Sequence, residues 1–197
     1  MLKLKATLEI ERIERDGRRE VRELDVNSWL KAYAQFCHGN WADLAGALGP
    51  IITSPDGTTF IFEGRIANED KFRADATATT TTHGIWVGTG STAVDRDDYT
   101  LGTKIDHGNG AGQLYYQACV VTAIAAISGG YEVVISRQFD NNSGSAITIN
   151  EVGLVVITAD YYGATKFMMV LRDLISGGEA VANGGSVVIR YKLQWTA

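Results

Sequence analysis

The sequence contains little proline and cysteine and has no long apolar run. Proline supplies two of the 197 residues and glycine 22, so the chain turns mainly through glycine, which is typical of β-rich proteins. Cys37 and Cys119 are far apart and show no CxxC or Cys/His spacing, which excludes a disulfide scaffold. We interpret both as buried, apolar side chains. The longest apolar stretch, residues 114–127, contains Gln117 and Thr122 and is too short to span a bilayer as a helix.

An excess of positive charge is also lacking. The chain has 18 lysine and arginine residues and 23 acidic residues, a formal net charge of −5. This charge argues against a protein that binds the phosphate backbone of nucleic acids. Residues 1–11 alternate charged and apolar side chains and so lack the apolar core of a signal peptide. We therefore expect a soluble protein that binds neither nucleic acid nor a membrane. At about 150 residues per domain, the length predicts one domain with an appendage.

The first 26 residues have the pattern of an antiparallel hairpin. Apolar residues recur at every second position from 2 to 10, which predicts a strand with one buried face. Asp16 and Gly17 form a turn signal, so we expect a hairpin over 2–26. Residues 1–31 hold eight basic and seven acidic side chains. Such a band either forms a solvated face or pairs with a neighbouring subunit, and the hairpin either packs on its own sandwich or reaches a neighbour.

Two short helices are expected next. Asn27 or Ser28 is the predicted N-cap of a helix over 28–38 that Gly39 ends, and a second helical turn follows over 40–48. We interpret their apolar side chains as core. These are Trp29, Tyr33, Phe36, Cys37, Trp41, Leu44, Ala45 and Leu48.

The remainder reads as antiparallel strands. A hairpin is predicted over 51–62, and residues 67–82 form either a surface loop or a Thr-rich edge strand. Further strands are expected at 85–87, 114–127, 131–139, 146–158, 166–174 and 186–195, separated by turns at 128–130, 140–144, 177–178 and 184–185. The predicted fold is mainly β: an antiparallel β-sandwich or jelly-roll-like domain with an N-terminal β-hairpin and one or two short helices. We expect residues 1–66 to pack on a sandwich formed by 67–197.

The matches to known binding or metal-site motifs are poor. Residues 88–93 match the G-x-G-x-x-A dinucleotide pattern, but no crossover helix is predicted after them, so we interpret them as a tight turn. Asp95, Asp97 and Asp98 lack EF-hand spacing and indicate a solvated loop or a short helical turn that Asp95 caps. The three histidines do not have metal-ligand spacing; they are His38, His83 and His107.

No nucleophile motif is evident either. Glu151 and Asp173 lie inside predicted strands and could serve as a glycosidase pair, but Glu151 more simply accepts hydrogen bonds from a turn. We therefore expect no catalytic, cofactor or metal site. A non-catalytic alternative is carbohydrate binding for host attachment, in which Trp86, Tyr161 and Tyr162 would stack on sugar rings.

Several segments share turn-and-strand patterns with one class of protein. They are GIWVGTGST at 84–92, DYTL at 98–101, NSGSAITINEVGL at 142–154, LRD at 171–173 with GGSVVIRY at 184–191, and NSWL at 27–30 after the charged hairpin. In these features the sequence resembles small virion structural proteins of tailed bacteriophages. The resemblance implies a non-enzymatic virion component made in the host cytoplasm, foremost a capsid decoration or cement protein, alternatively a tail or neck accessory. Its implied partners are copies of itself and other virion proteins, such as the major capsid protein or tail components.

Overall fold

The structure is a computed structural model that describes residues 3–26, 28–42, 44, 48–62 and 72–196. The elements are, in chain order, β1 (Lys3–Ile13), β2 (Arg19–Val26), α1 (Lys31–Trp41), β3 (Ile51–Thr53), β4 (Thr59–Ile61), β5 (Gly84–Gly88), β6 (Tyr115–Val121), β7 (Ala125–Ile127), β8 (Gly130–Asp140), β9 (Ile147–Ala159), β10 (Thr165–Val181) and β11 (Ser186–Thr196). The predicted mainly β, antiparallel fold is confirmed. Predicted features at Leu2, Asn27, Ala45 and 67–71 fall outside the described residues.

The larger sheet has the strand order β2-β1-β11-β8-β6, with β7 also paired to β8. The predicted N-terminal hairpin forms, and Gly17 adopts φ +85° in its turn, a conformation that favours glycine. Its first strand pairs along its length with β11, the last strand of the chain. Leu8 and Ile10 are buried, as their alternation predicts. The hairpin thus packs on the protein's own sheet, with β2 at one edge.

The smaller sheet has the order β10-β9-β5, and β9 is its central strand. One face of β9 packs toward the larger sheet, where the Tyr191 hydroxyl of β11 donates to the backbone oxygen of Val152. The other face is covered by the segment between β5 and β6. Because layers cover both faces, residues 151–160 are all buried.

The helix begins later and ends later than predicted. Ser28 is not its cap: Leu30 is the N-cap residue and makes no side-chain capping bond. The segment before the helix is instead used in strand pairing, since Trp29 bridges Leu171 and the Leu30 amide donates to the Val170 carbonyl. The helix continues through Gly39 to Trp41.

The prediction that the helical aromatic side chains form core is correct only in part. Tyr33 and Phe36 are half-buried and pack against Phe72, with ring centroids 5.7 and 4.4 Å apart. Trp41 is 85% exposed and Leu48 is 77% exposed, so the interpretation was wrong for both.

Two predicted boundaries also differ. Residues 177–178 are not a turn between strands but a bulge inside β10, where the pairing shifts between Leu174 and Glu179 and both glycines have positive φ. The strand expected over 114–127 is broken into β6 and β7.

The hairpin over 51–62 forms β3 and β4, and residues 72–82 form a loop with isolated bridges to β9 and β6. Within the described ranges, no helix has the length and apolar character needed to cross a membrane.

Candidate functional site

Glu151 on β9 is completely buried, and its carboxylate holds the segment that follows β5. Its Oε1 accepts hydrogen bonds from the backbone amides of Gly90, at 3.0 Å, and Thr103, at 2.8 Å. Its Oε2 accepts from the amide of Gly102 at 3.0 Å. The prediction that Glu151 accepts hydrogen bonds from a turn is confirmed.

Arg172 on β10 completes this arrangement and is only 2% exposed. Its Nε and Nη2 lie 3.0 and 2.9 Å from Oε2 of Glu151, and its Nη1 lies 2.6 Å from Oδ2 of Asp98. Nη2 also donates to the carbonyl of Thr92 at 3.0 Å. We call Glu151, Arg172 and Asp98 the buried ion cluster. Because its donors and acceptors already bond to one another, the cluster fixes the loop to the sheet.

The glycines of the G-x-G pattern are explained by this cluster. A Cβ on Gly90 would lie 2.2 Å from Oε1 of Glu151, and one on Gly88 would lie 2.5 Å from the Thr103 carbonyl oxygen. No helix follows the pattern within residues 72–196, whereas a dinucleotide site needs a helix N-terminus there. The glycines therefore permit close approach to a buried carboxylate.

The structure does not bring Glu151 and Asp173 together. Asp173 directly follows Arg172, the partner of Glu151, so the carboxylates extend from opposite faces of the paired strands. On its face, Asp173 accepts a hydrogen bond from the Tyr191 hydroxyl at 2.9 Å. Burial raises the pKa of Asp173 above its ordinary value, although hydrogen bonds from Ser28 and Tyr191 oppose the rise. Two carboxylates that flank one glycosidic bond would both have to reach the same cleft, and these two lie on opposite faces of the smaller sheet.

The acidic loop is organised by its own backbone. Asp95 Oδ1 accepts from the Asp97 amide at 2.9 Å, as the predicted capping role requires, and Asp98 Oδ2 accepts from the Asp95 amide at 2.8 Å. Among the described residues, no group of three histidine, cysteine or acidic side chains is arranged to hold a metal ion.

The histidines and cysteines take structural positions. The His83 ring is bonded to the Asp75 carbonyl oxygen at 2.9 Å, and burial lowers its pKa. His107 accepts a hydrogen bond from a backbone amide, while His38 is exposed on α1. Cys119 is buried as predicted, and burial raises the pKa of its thiol, whereas Cys37 is only half-buried.

Arg137 on β8 is a buried cation that our sequence reasoning missed. It donates to backbone carbonyls of Gln117, Thr80, His83 and Ile85, in three segments of the chain. Burial lowers its pKa. The sequence does contain a signal for both buried arginines. Position 137 is itself an inward-facing position of an alternating strand, and position 172 follows an apolar run.

Only two of the three predicted aromatic platforms are accessible. Trp86 is 6% exposed, so the interpretation of Trp86 as a surface platform was wrong. Tyr161 and Tyr162 are exposed at the β9–β10 turn, with ring centroids 5.2 Å apart. They line a groove of about 290 Å³ with Asp160, Lys166 and the β3–β4 hairpin.

One edge of the larger sheet is apolar and uncovered. Residues 120–131, the apolar edge, have the sequence VVTAIAAISGGY, and all but Ile127 and Gly130 are exposed. Ala76 bridges β6 at Cys119. Beyond that point, the described part of the chain supplies only β8 as a backbone hydrogen-bonding neighbour.

No protein-family model, curated protein or solved structure matches this chain.

Proposed function

We propose that this chain is a non-enzymatic structural subunit of a tailed-bacteriophage virion, a capsid decoration or cement protein that acts through contacts between subunits. The observation that carries the structural role is the apolar edge. Exposed apolar patches on a soluble protein mark interaction surfaces, and an unpaired apolar strand is a template for further strand pairing. The virion setting comes from the sequence resemblance described above.

The opposite edge of the same sheet provides an internal comparison. β2 has the sequence REVRELDV, with charges at five of its eight positions. Charged edge strands resist pairing with other chains. Charged residues of the hairpin also form ion pairs within the molecule: Arg190 on β11 donates to Glu9 at 2.6 Å and to Glu11 at 2.7 Å. One edge is thus protected and the other is open.

A second copy of this chain is the occupant that fits the apolar edge. The edge has no charged side chain over its twelve residues, so two copies can meet there without burying an unpaired charge. Residues 120–127 comprise the end of β6, a three-residue link and β7, and their outer side has no strand partner among the described residues. A two-fold axis would place the two edges antiparallel, with each surface repeating on its partner.

The buried ion cluster supports the non-enzymatic part of the proposal. Glu151 accepts three backbone amides and an arginine, so no acceptor position is left for a substrate proton. Its carboxylate is also wholly buried. These groups stabilise a rigid subunit.

The test is to purify the cognate phage particles by density gradient and identify their proteins by mass spectrometry. We expect this chain in the particles in many copies, and labelled antibody should mark the capsid in electron micrographs. Label on the tail or neck instead would favour the accessory alternative. Absence of the chain from purified particles would refute the virion assignment.

Carbohydrate binding is a second candidate, favoured by the exposed tyrosine pair. Aromatic rings beside polar groups can stack on sugar faces while Asp160 and Lys166 supply hydrogen bonds. A glycan array with the wild-type protein, Tyr161→Ala and Tyr162→Ala tests it. Binding that both substitutions abolish would support this candidate, whereas an array without hits or binding unchanged by them would exclude it.

A further inference from the structure

Lys104 lines a second groove, separate from the apolar edge and the tyrosine pair. The groove has a volume of about 370 Å³ and lies between the β3–β4 turn and the loop before β5. The Lys104 ammonium stands 3.6 Å from the centroid of the Trp86 ring. It donates one hydrogen bond, to the Thr81 carbonyl oxygen at 2.7 Å. Pro55 and Phe167 supply apolar walls.

Lys104 is unusual among the lysines of this chain. The other lysines with described side chains all have a carboxylate within ion-pair distance; they are Lys5, Lys31, Lys166 and Lys192. No carboxylate of the described residues lies that close to Lys104. Among the described residues, its ammonium contacts the Trp86 ring face and the Thr81 carbonyl oxygen, and Asp106 acts on its charge without forming an ion pair.

The charged groups around Lys104 have opposing effects. Together they lower the pKa of its ammonium to about 8: burial lowers it most, the carboxylate of Asp106 opposes this, and the positive charge of Arg137 adds to it. Asp56 also lines the groove, but its carboxylate accepts hydrogen bonds from Thr58. Burial in the groove therefore disfavours the protonated amine, and this effect exceeds the stabilisation that Asp106 gives to the ammonium.

We propose that Lys104 is the preferred site of covalent acylation on this protein, by thioester or acyl-phosphate donors whose acyl group enters the groove. The neutral amine attacks the carbonyl carbon, and a C–N bond forms. The C–S or C–O bond to the leaving group breaks, and the leaving group takes the electron pair. The surplus proton on nitrogen passes to water, and an uncharged amide remains beside Trp86. No oxidant or reductant is required.

The expected preference follows from the population of neutral amine. At pH 7.5 a pKa of about 8 leaves roughly a quarter of Lys104 neutral. An ordinary lysine, with a pKa near 10.4, is roughly one part in a thousand neutral at that pH. Because nucleophilicity falls with basicity, we expect about tenfold faster acylation of Lys104, not the full ratio of populations.

The test is site-resolved acetylation of the folded, full-length protein by the acetyl thioester of N-acetylcysteamine. Peptide mass spectrometry gives initial rates at Lys104 and Lys5 between pH 6.5 and 10. Lys104 should react about tenfold faster at pH 7.5 with a midpoint near 8, and this preference should disappear in urea. Equal rates, or a Lys104 rate that rises only near pH 10, would overturn the proposal.

A charge variant tests the origin of the reactivity. Asp106→Asn removes the carboxylate that favours the ammonium, so the midpoint for Lys104 should fall and its rate at pH 7 should rise. Asp16→Asn, in the β1–β2 turn, is the matched control and should leave the Lys104 profile unchanged. Identical profiles for the two variants would contradict the account.

Discussion

Replacing Glu151 by glutamine should destabilise the protein strongly. The substitution keeps the shape of the side chain but removes its charge and turns one acceptor oxygen into a donor. If the amide oxygen replaces Oε1, the new NH2 group faces the Gly102 amide and two donors of Arg172. Removing one partner of a buried ion pair costs about 3–5 kcal/mol because the other charge stays buried. Asp98 still pairs with Arg172, so we expect about 3 kcal/mol.

Urea unfolding followed by tryptophan fluorescence measures this cost. At constant m-value the midpoint should fall, and hydrogen exchange should speed up at the amides of Gly90, Gly102 and Thr103, which the carboxylate holds. Glu23→Gln breaks an exposed ion pair with Lys192 and is the matched control, with an expected loss below about 1 kcal/mol. If Glu151→Gln were as mild as this control, the buried ion cluster would not hold the loop.

Two further predictions concern glycines that approach the buried ion cluster and the buried carboxylate of Asp173 on β10. Gly90→Ala should cost about 1–3 kcal/mol in urea unfolding because its Cβ would meet the Glu151 carboxylate, whereas Gly102→Ala, whose Cβ would lie 3.5 Å from its nearest neighbour, should cost less. Equal losses would refute the close-approach explanation. Because the pKa of Asp173 is raised on folding, the wild type loses stability as pH rises from about 4 through the folded pKa. Asp173→Asn lacks this loss, so its stability relative to wild type should improve between pH 4 and 7, and a constant difference would contradict the shift.

The sequence predicted features that depend on local pattern. Alternation in β1 and the turn at Gly17 predicted the hairpin, and the position of Glu151 between Asn150 and the run 152–154 predicted its bonds to a turn. Partners distant in sequence could not be predicted. Arg172 meets the Thr92 carbonyl 80 residues away, and nothing local to either residue encodes that contact.

Burial of helical side chains was predicted less well for a related reason. The spacing of Trp29 and Tyr33 indicates a common helical face, and Trp41 was predicted on the next helical turn, but spacing does not show how far a sheet extends beneath these side chains. Trp29 pairs with β10 and Tyr33 packs on Phe72, while Trp41 lies beyond the supporting layer. Similarly, two adjacent glycines signal positive φ at 177–178, but such a conformation suits a bulge as well as a turn.

The central claim is that copies of this chain associate through the apolar edge, and light scattering after size exclusion over a range of concentrations tests it most directly. Ile124→Asp places a charge on that edge, and Val21→Asp places the same charge on the β2 edge; the two wild-type side chains are 66% and 60% exposed. The wild type and Val21→Asp should form an oligomer, whereas Ile124→Asp should elute as a 21.3 kDa monomer. A wild type that is monomeric at every concentration, or an Ile124→Asp variant with the wild-type mass, would contradict the claim.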